Sequence, residues 1–174
     1  MNIKESLLRE HSKSNTLVIV HYIGNDASLF KQLIALLQSD NQRLVQRASW
    51  PLSLIVENNP ELVYPHLPLL LKLLDKPLHV AYKRNMFRLL RGMKAIPEKY
   101  HAQVIDLCMR AIPNINDAAA VRAFAIHVTG NLVSIYPELA NELGILLEPL
   151  AGHELPSIRS SAKHVLKQIA KNLR

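Results

Sequence analysis

Pro60-Glu61-Leu62-Val63-Tyr64-Pro65-His66-Leu67-Pro68-Leu69-Leu70-Leu71-Lys72-Leu73-Leu74-Asp75, followed shortly by Ala81-Tyr82-Lys83-Arg84-Asn85-Met86-Phe87-Arg88-Leu89-Leu90, is the stretch on which the fold turns. It opens on Pro-Glu, a pair suited to a helix start. Proline fits the first helical position, and an acid in the first turn meets the positive end of the helix dipole. The dipeptide recurs at Pro97-Glu98 and Pro137-Glu138, spaced by 37 and 40 residues. The three pairs therefore predict the starts of three equivalent helices. A second series runs in phase with the first: Gln46, Lys83, Arg122 and Arg159, at intervals of 37, 39 and 37. Apolar residues then recur at helical spacing, most clearly Val121, Ala125, Val128, Leu132 and Ile158, Ala162, Val165, Ile169. Each set covers one face of a helix, so the chain predicts alternating helices with a period of about 38 residues.

Composition points the same way. The 174 residues fall in the one-domain range, and 49% are apolar, mostly Leu, Ile, Val and Ala. With 5% aromatics and five glycines, helix-on-helix packing suits the chain better than a sandwich or barrel. The beginning carries acids at Glu5 and Glu10 with no apolar run of leader length after it. The longest apolar stretches, such as Leu67–Leu71, are too short to cross a bilayer. The lone Cys108 has no internal disulfide partner and reads as a small buried apolar residue. A cytoplasmic, non-membrane protein is expected. The eight histidines do not cluster at ligand spacing, and His153-Glu154 lacks the second histidine of a zinc-protease motif. The five glycines are isolated and form no phosphate-cradling loop. No metal and no cofactor are expected.

The layout resembles HEAT repeats: Leu67 to Asp75 as a first helix and acidic turn, then Tyr82, Lys83, Met86, Leu89 and Leu90 on a second helix. Pro65 and Pro68 fall where HEAT units often carry a kinking proline. The resemblance implies an all-α fold, a right-handed α/α superhelix of about four helix pairs. The expected pairs are about 26–58, 60–95, 97–135 and 137–172, with residues 1–24 as a helical cap, all in one domain spanning 1–174. The first pair departs most from the pattern, lacking Pro-Glu, and the third has a longer turn at Pro113-Asn114-Ile115-Asn116-Asp117.

Charge is unevenly spread. The net charge is +7, but the expected second-helix segments 41–56, 78–95, 118–135 and 156–174 hold 13 Lys or Arg and no Asp or Glu. Folded onto one layer, that set creates a field the mean charge conceals. At about 100° per residue, Arg84, Arg88 and Arg91 point away from the apolar column. Arg43, Arg47, Lys167 and Lys171 fall in the same sector, and His127 and His164 share the phase of Arg88. The resemblance implies that second helices line the concave side, making this a basic groove with Asn85 and Trp50 at its flanks. Lys83, Arg122 and Arg159 lie at the edge facing the next repeat. There they are expected to bond across repeats to turn residues such as Asp75 and Asp117.

Two readings of the stripe stand. It is a solvated face, or it is a surface for a polyanion, either an acidic protein partner or nucleic acid. A protein-binding scaffold is favoured, because solenoids of this size most often serve as protein-binding surfaces. HEAT-like proteins that excise alkylated bases need aromatic and acidic residues at the groove floor; here Trp50 is the only Trp and the candidate face has no acid. Without interleaved aromatics, contact with a nucleic acid would run through its phosphates. Ala81-Tyr82-Lys83-Arg84-Asn85 is similar to part of the lysine signature of the fumarase and adenylosuccinate lyase superfamily, and the chain resembles short bacterial HEAT-like chains that can carry that lyase label. The Gly-Ser-Ser-x-Met-Pro loop that supplies the acid–base serine is missing, since Lys76-Pro77-Leu78-His79-Val80 precedes instead. A non-enzymatic protein is expected.

Overall fold

The computed structural model describes the backbone of residues 1–172, and every regular element among them is helical. The chain opens with α1 (Ile3–Arg9) and α2 (Lys13–Ile23), continues through α3 (Ala27–Leu36), and reaches the long α4 (Gln42–Asn58). Short side chains set these starts. Asn2, Ser12, Asp26 and Asn41 each stand in extended backbone and accept a bond from an amide of the first turn. At the other end of α2, Gly24 takes φ 48°, and its carbonyl accepts a 2.9 Å bond from Asn59 Nδ2. That bond ties the exit of α2 to the exit of α4.

The stretch that decides the fold is less regular than its apolar pattern. Residues 60–75 form α5 (Pro60–Val63), a 3₁₀ turn at Tyr64–His66, α6 (Leu67–Lys72) and a second 3₁₀ turn at Leu73–Asp75. Pro68 has no N–H to offer the Tyr64 carbonyl, which instead accepts from Leu67 N at 3₁₀ spacing. The later Pro-Glu pairs also lead through 3₁₀ turns. Glu98–Tyr100 precedes α8 (His101–Ala111), with Pro97 just outside the turn in extended backbone, and Pro137–Leu139 precedes α10 (Ala140–Leu147). The partners of these broken helices are long: α7 (Val80–Gly92), α9 (Ala119–Val133) and α11 (Pro156–Asn172).

The chain divides into two compact units, Met1–Ala95 and Ile96–Arg174. In the first, α4 packs on α7, α1, α2 and α3. Phe30, Leu33, Leu52, Ile55, Tyr82, Met86 and Leu89 are its buried centre, each worth roughly 1.5–3 kcal/mol of burial. Pro51 sits inside α4, and Ser49 and Ser53 on either side each return a hydroxyl to a carbonyl three residues back. In the second unit, α9 packs on α8 and α11, burying Val104, Cys108, Ala125, Val128, Ile158, Ala162 and Val165. Both apolar sets predicted from helical spacing, Val121 to Leu132 and Ile158 to Ile169, lie buried. Polar groups inside are matched: no buried side-chain N or O among the described residues is without a partner.

Candidate binding faces on the long helices

In the first unit, α7 turns Ala81, Tyr82, Asn85, Met86, Leu89 and Leu90 inward. Helical geometry then puts Arg84 and Arg91 in solvent, with Arg88 half-buried. On α4, Arg43 is exposed and Arg47 half-buried. Arg47 is already engaged: its Nη1 donates to the carbonyls of Leu7 at 2.7 Å and Leu8 at 2.9 Å. These are last-turn carbonyls of α1, which have no donor within their own helix and carry the negative end of its dipole. Arg47, read from phase as a ligand-facing group, thus also caps α1. Burial first, and then Arg43, hold its pKa below the ordinary value.

The capping brings the turn between α1 and α2 beside α4. His11, from that turn, meets half-buried Trp50 edge to face, with ring centroids 5.4 Å apart at 70°. His11 has a lowered pKa: burial is the largest cause, followed by the charges of Arg47, Arg84 and His79. Arg47 and Arg84 are permanent cations. His79 itself caps α7, its Nδ1 accepting from Ala81 N at 3.2 Å. One aromatic and two imidazoles therefore share a patch made cationic by two guanidiniums. Asn85 is not at its flank. Its Nδ2 donates to Ser49 Oγ at 2.8 Å within the α4–α7 contact, and only 3% of the residue is exposed.

In the second unit, His127 and His164 come together as their shared phase suggests, with ring centroids 5.6 Å apart. His127 Nε2 lies 3.0 Å from Ser161 Oγ. Lys163, Lys167 and Lys171 follow on α11, all exposed. Arg122 and Arg159, two of the three residues assigned to the repeat edge, bond to nearby main chain. Arg122, 6% exposed, donates Nε to the carbonyl of Ile112 at 2.8 Å, at the exit of α8. Arg159 Nη1 donates to the carbonyls of His153 at 2.8 Å and Glu154 at 3.0 Å, in the turn leading into α11. Main-chain carbonyls at helix exits and turns, rather than Asp75 or Asp117, take these bonds. A carbonyl left without a donor near a buried helix end is costly, and a guanidinium reaches it without a cross-repeat partner. Asp117 accepts from Asn114 Nδ2 at 3.1 Å within its own turn, Asp75 is exposed, and Lys83 is half-buried on α7.

His11 and His79 belong to the patch but are invisible to helical phase, because neither lies inside a long helix. His79 alone leaves a trace in the sequence, as a polar residue just before the apolar run of α7.

The groups with most intrinsic reactivity are locked inside. Tyr82, in the lyase-like pentapeptide, is 1% exposed and donates its hydroxyl to the Leu70 carbonyl at 2.7 Å. Burial raises its pKa. Cys108 is fully buried, and burial pushes its thiol up to about 12 against a smaller lowering by Thr129. Among the described residues, no group of three or more His, Cys, Asp or Glu is placed to hold a metal ion, and no helix is long and apolar enough to cross a membrane.

Comparison with known proteins gives the architecture. The family described as HEAT repeat domain matches residues 3–169. The crystal structure of an engineered protein from the Northeast Structural Genomics Consortium is similar in fold, with a TM-score of 0.63 at 20% identity, over 97% of this chain and 80% of that one. No curated protein matches the chain.

Proposed function

The chain belongs to the HEAT repeat domain family, and from that premise we propose that it is a non-enzymatic binding module that holds an acidic protein segment on its cationic helix faces. The observation that carries this reading is the patch around Trp50. There the guanidiniums of Arg47 and Arg84 both act on His11, which stands against Trp50. Such a cluster is under mutual repulsion until an anion sits against it, so a carboxylate-bearing segment gains Coulomb energy there. Arg84, exposed on α7, offers a planar fork for bidentate contact with a carboxylate. The half-exposed indole of Trp50, edge-on to His11, suits an apolar or aromatic residue flanking the acid. On α11, the row Lys163, Lys167, Lys171 supports contact with a second acidic stretch.

Nucleic acid is the second reading, favoured by the part-exposed indole of Trp50 and the exposed guanidinium of Arg84, both near His11, since a base could stack on one while a phosphate meets the other. Titration of labelled polyglutamate, single-stranded DNA and duplex DNA at several salt concentrations separates the two. The acidic-protein reading expects polyglutamate to bind more tightly than either nucleic acid at matched ionic strength. Arg84→Ala with Arg88→Ala is expected to weaken it roughly three- to tenfold. Tighter nucleic-acid binding with a steep log–log salt slope would move the assignment to phosphate contact. Failure of all three ligands to bind at low salt would leave a solvated face.

A further inference from the structure

A different surface, on the opposite kind of helix, has the opposite charge. In the second unit, the 3₁₀ turn Glu98–Tyr100 with α8 and the turn Pro137–Leu139 with α10 enclose a groove of about 860 Å³. Helix α8 is apolar on two faces. Val104, Cys108 and Ala111 are buried, as expected for a core face. Ala102, Ile105 and Met109, at helical spacing, line the groove, joined by Leu139 from the second turn. Ala102 is exposed, and Ile105, Met109 and Leu139 are half-exposed.

The rim is acidic. Glu98, Glu138 and Glu142 line it against the single Lys99, and all four are exposed. Asp106 also lines it but is bridged to Arg110 on its own helix at 2.7 Å. The inner wall is held rigid by His101. Its Nε2 lies 2.6 Å from the Ile96 carbonyl, which can only accept, so Nδ1 is left to accept from the Tyr136 hydroxyl at 2.9 Å. That bond joins α8 to the segment leading into α10.

We propose that this groove docks a basic amphipathic helical segment of a partner protein, with apolar side chains on the floor and Lys or Arg meeting the three glutamates. A groove of this size accommodates the anchors of about two helical turns, the helix-in-groove mode of recognition. The charge selects the occupant, because an acidic amphipath is repelled by the rim. A second copy of this chain offers no match through its Lys-rich α11, whose exposed positions Lys163, His164, Lys167 and Lys171 bring no large apolar side chain. The protein then has two docking surfaces of opposite preference, which suits an adaptor between an acidic and a basic partner.

The test uses the full chain and a fluorescein-labelled helical peptide of leucine and lysine, followed by anisotropy. The wild type binds this peptide and not its leucine–glutamate counterpart. Glu138→Lys with Glu142→Lys, both at exposed positions, weakens binding at least tenfold, and Met109→Glu does the same by charging the floor. Trp50 emission follows polyglutamate at the Arg84 patch alone, and neither change alters that signal, so failure here and failure of that reading are separable. Absence of peptide binding, or binding that survives both variants, overturns the proposal. So does sedimentation showing that the wild type self-associates through the groove, with Leu17, Val18 and Tyr22 of α2 as its ligand.

Discussion

Gly130 is the position where the packing makes its sharpest claim. A Cβ there would lie 2.8 Å from both γ carbons of Val165 and 3.4 Å from its Cβ. Ordinary carbon contacts begin near 3.5 Å, so α9 and α11 would have to separate by roughly 0.7 Å. Val165 cannot swing aside, being 1% exposed and stiff about χ1 in a helix. Gln168, whose Nε2 donates to the Gly130 carbonyl at 3.1 Å, resists the same separation. Overpacking of this kind costs about 1–3 kcal/mol, whereas glycine to alanine inside a helix gains about 1 kcal/mol. Gly130→Ala is therefore expected to destabilise by about 1 kcal/mol, and at most about 2, in urea denaturation followed by circular dichroism. In a Val165→Ala background the clash vanishes and the same substitution should stabilise by about 1 kcal/mol. A stabilising Gly130→Ala in the wild-type background would refute the close approach of these helices. So would an effect that does not depend on Val165.

Leu89, fully buried in the first unit, should cost about 2–4 kcal/mol when cut to alanine; a loss below about 0.5 kcal/mol would show that α7 does not present this face to the core. Cys108 should resist thiol reagents at pH 8 in the folded protein and react at once in denaturant, because burial holds its thiol near 12; rapid labelling of the native chain would contradict that burial. Its raised pKa also means that stability falls as pH rises from the ordinary thiol range, about 8.5, towards 12. His11 and His66 are both lowered, first by burial and then by neighbouring cations. Their neutral forms favour the fold, so that contribution is present above about pH 6.5 and is lost as pH falls below it. Thermal melts between pH 7.5 and 5.5 should show it, with His11→Gln flattening the acid limb.

The repeat period and the inward faces of the long helices were legible in the sequence because both rest on periodicity. Val121 to Leu132 and Ile158 to Ile169 needed only 3.6-residue spacing. The first helices were less legible: Pro65, Pro68 and Pro97 promised helix starts and kinks, but Pro68 has no N–H for the Tyr64 carbonyl, which turns to 3₁₀ spacing, and Pro97 stands just outside its turn, local effects that an apolar pattern does not register. Side-chain fate was harder still. Phase placed Arg47 and Arg84 in the same sector, yet Arg47 caps α1 while Arg84 stays in solvent, since capping depends on which helix end lies alongside. Asn85 sat one residue from the exposed stripe and was drawn inward by Ser49. The groove beside α8 was hidden for the same reason, since the half-exposure of Ile105 and Met109 depends on where the neighbouring turn lies.

The proposed binding face contains its own reporter, because Trp50 is the only tryptophan and stands beside His11 within the cationic patch. Titrating polyglutamate at low salt while following Trp50 emission tests the account most directly. The account expects a saturable change that weakens with added salt, strengthens as pH falls through the histidine range, and drops by roughly three- to tenfold in affinity with Arg84→Ala and Arg88→Ala. Binding detected by calorimetry with Trp50 emission unchanged would place the acidic partner elsewhere and contradict it.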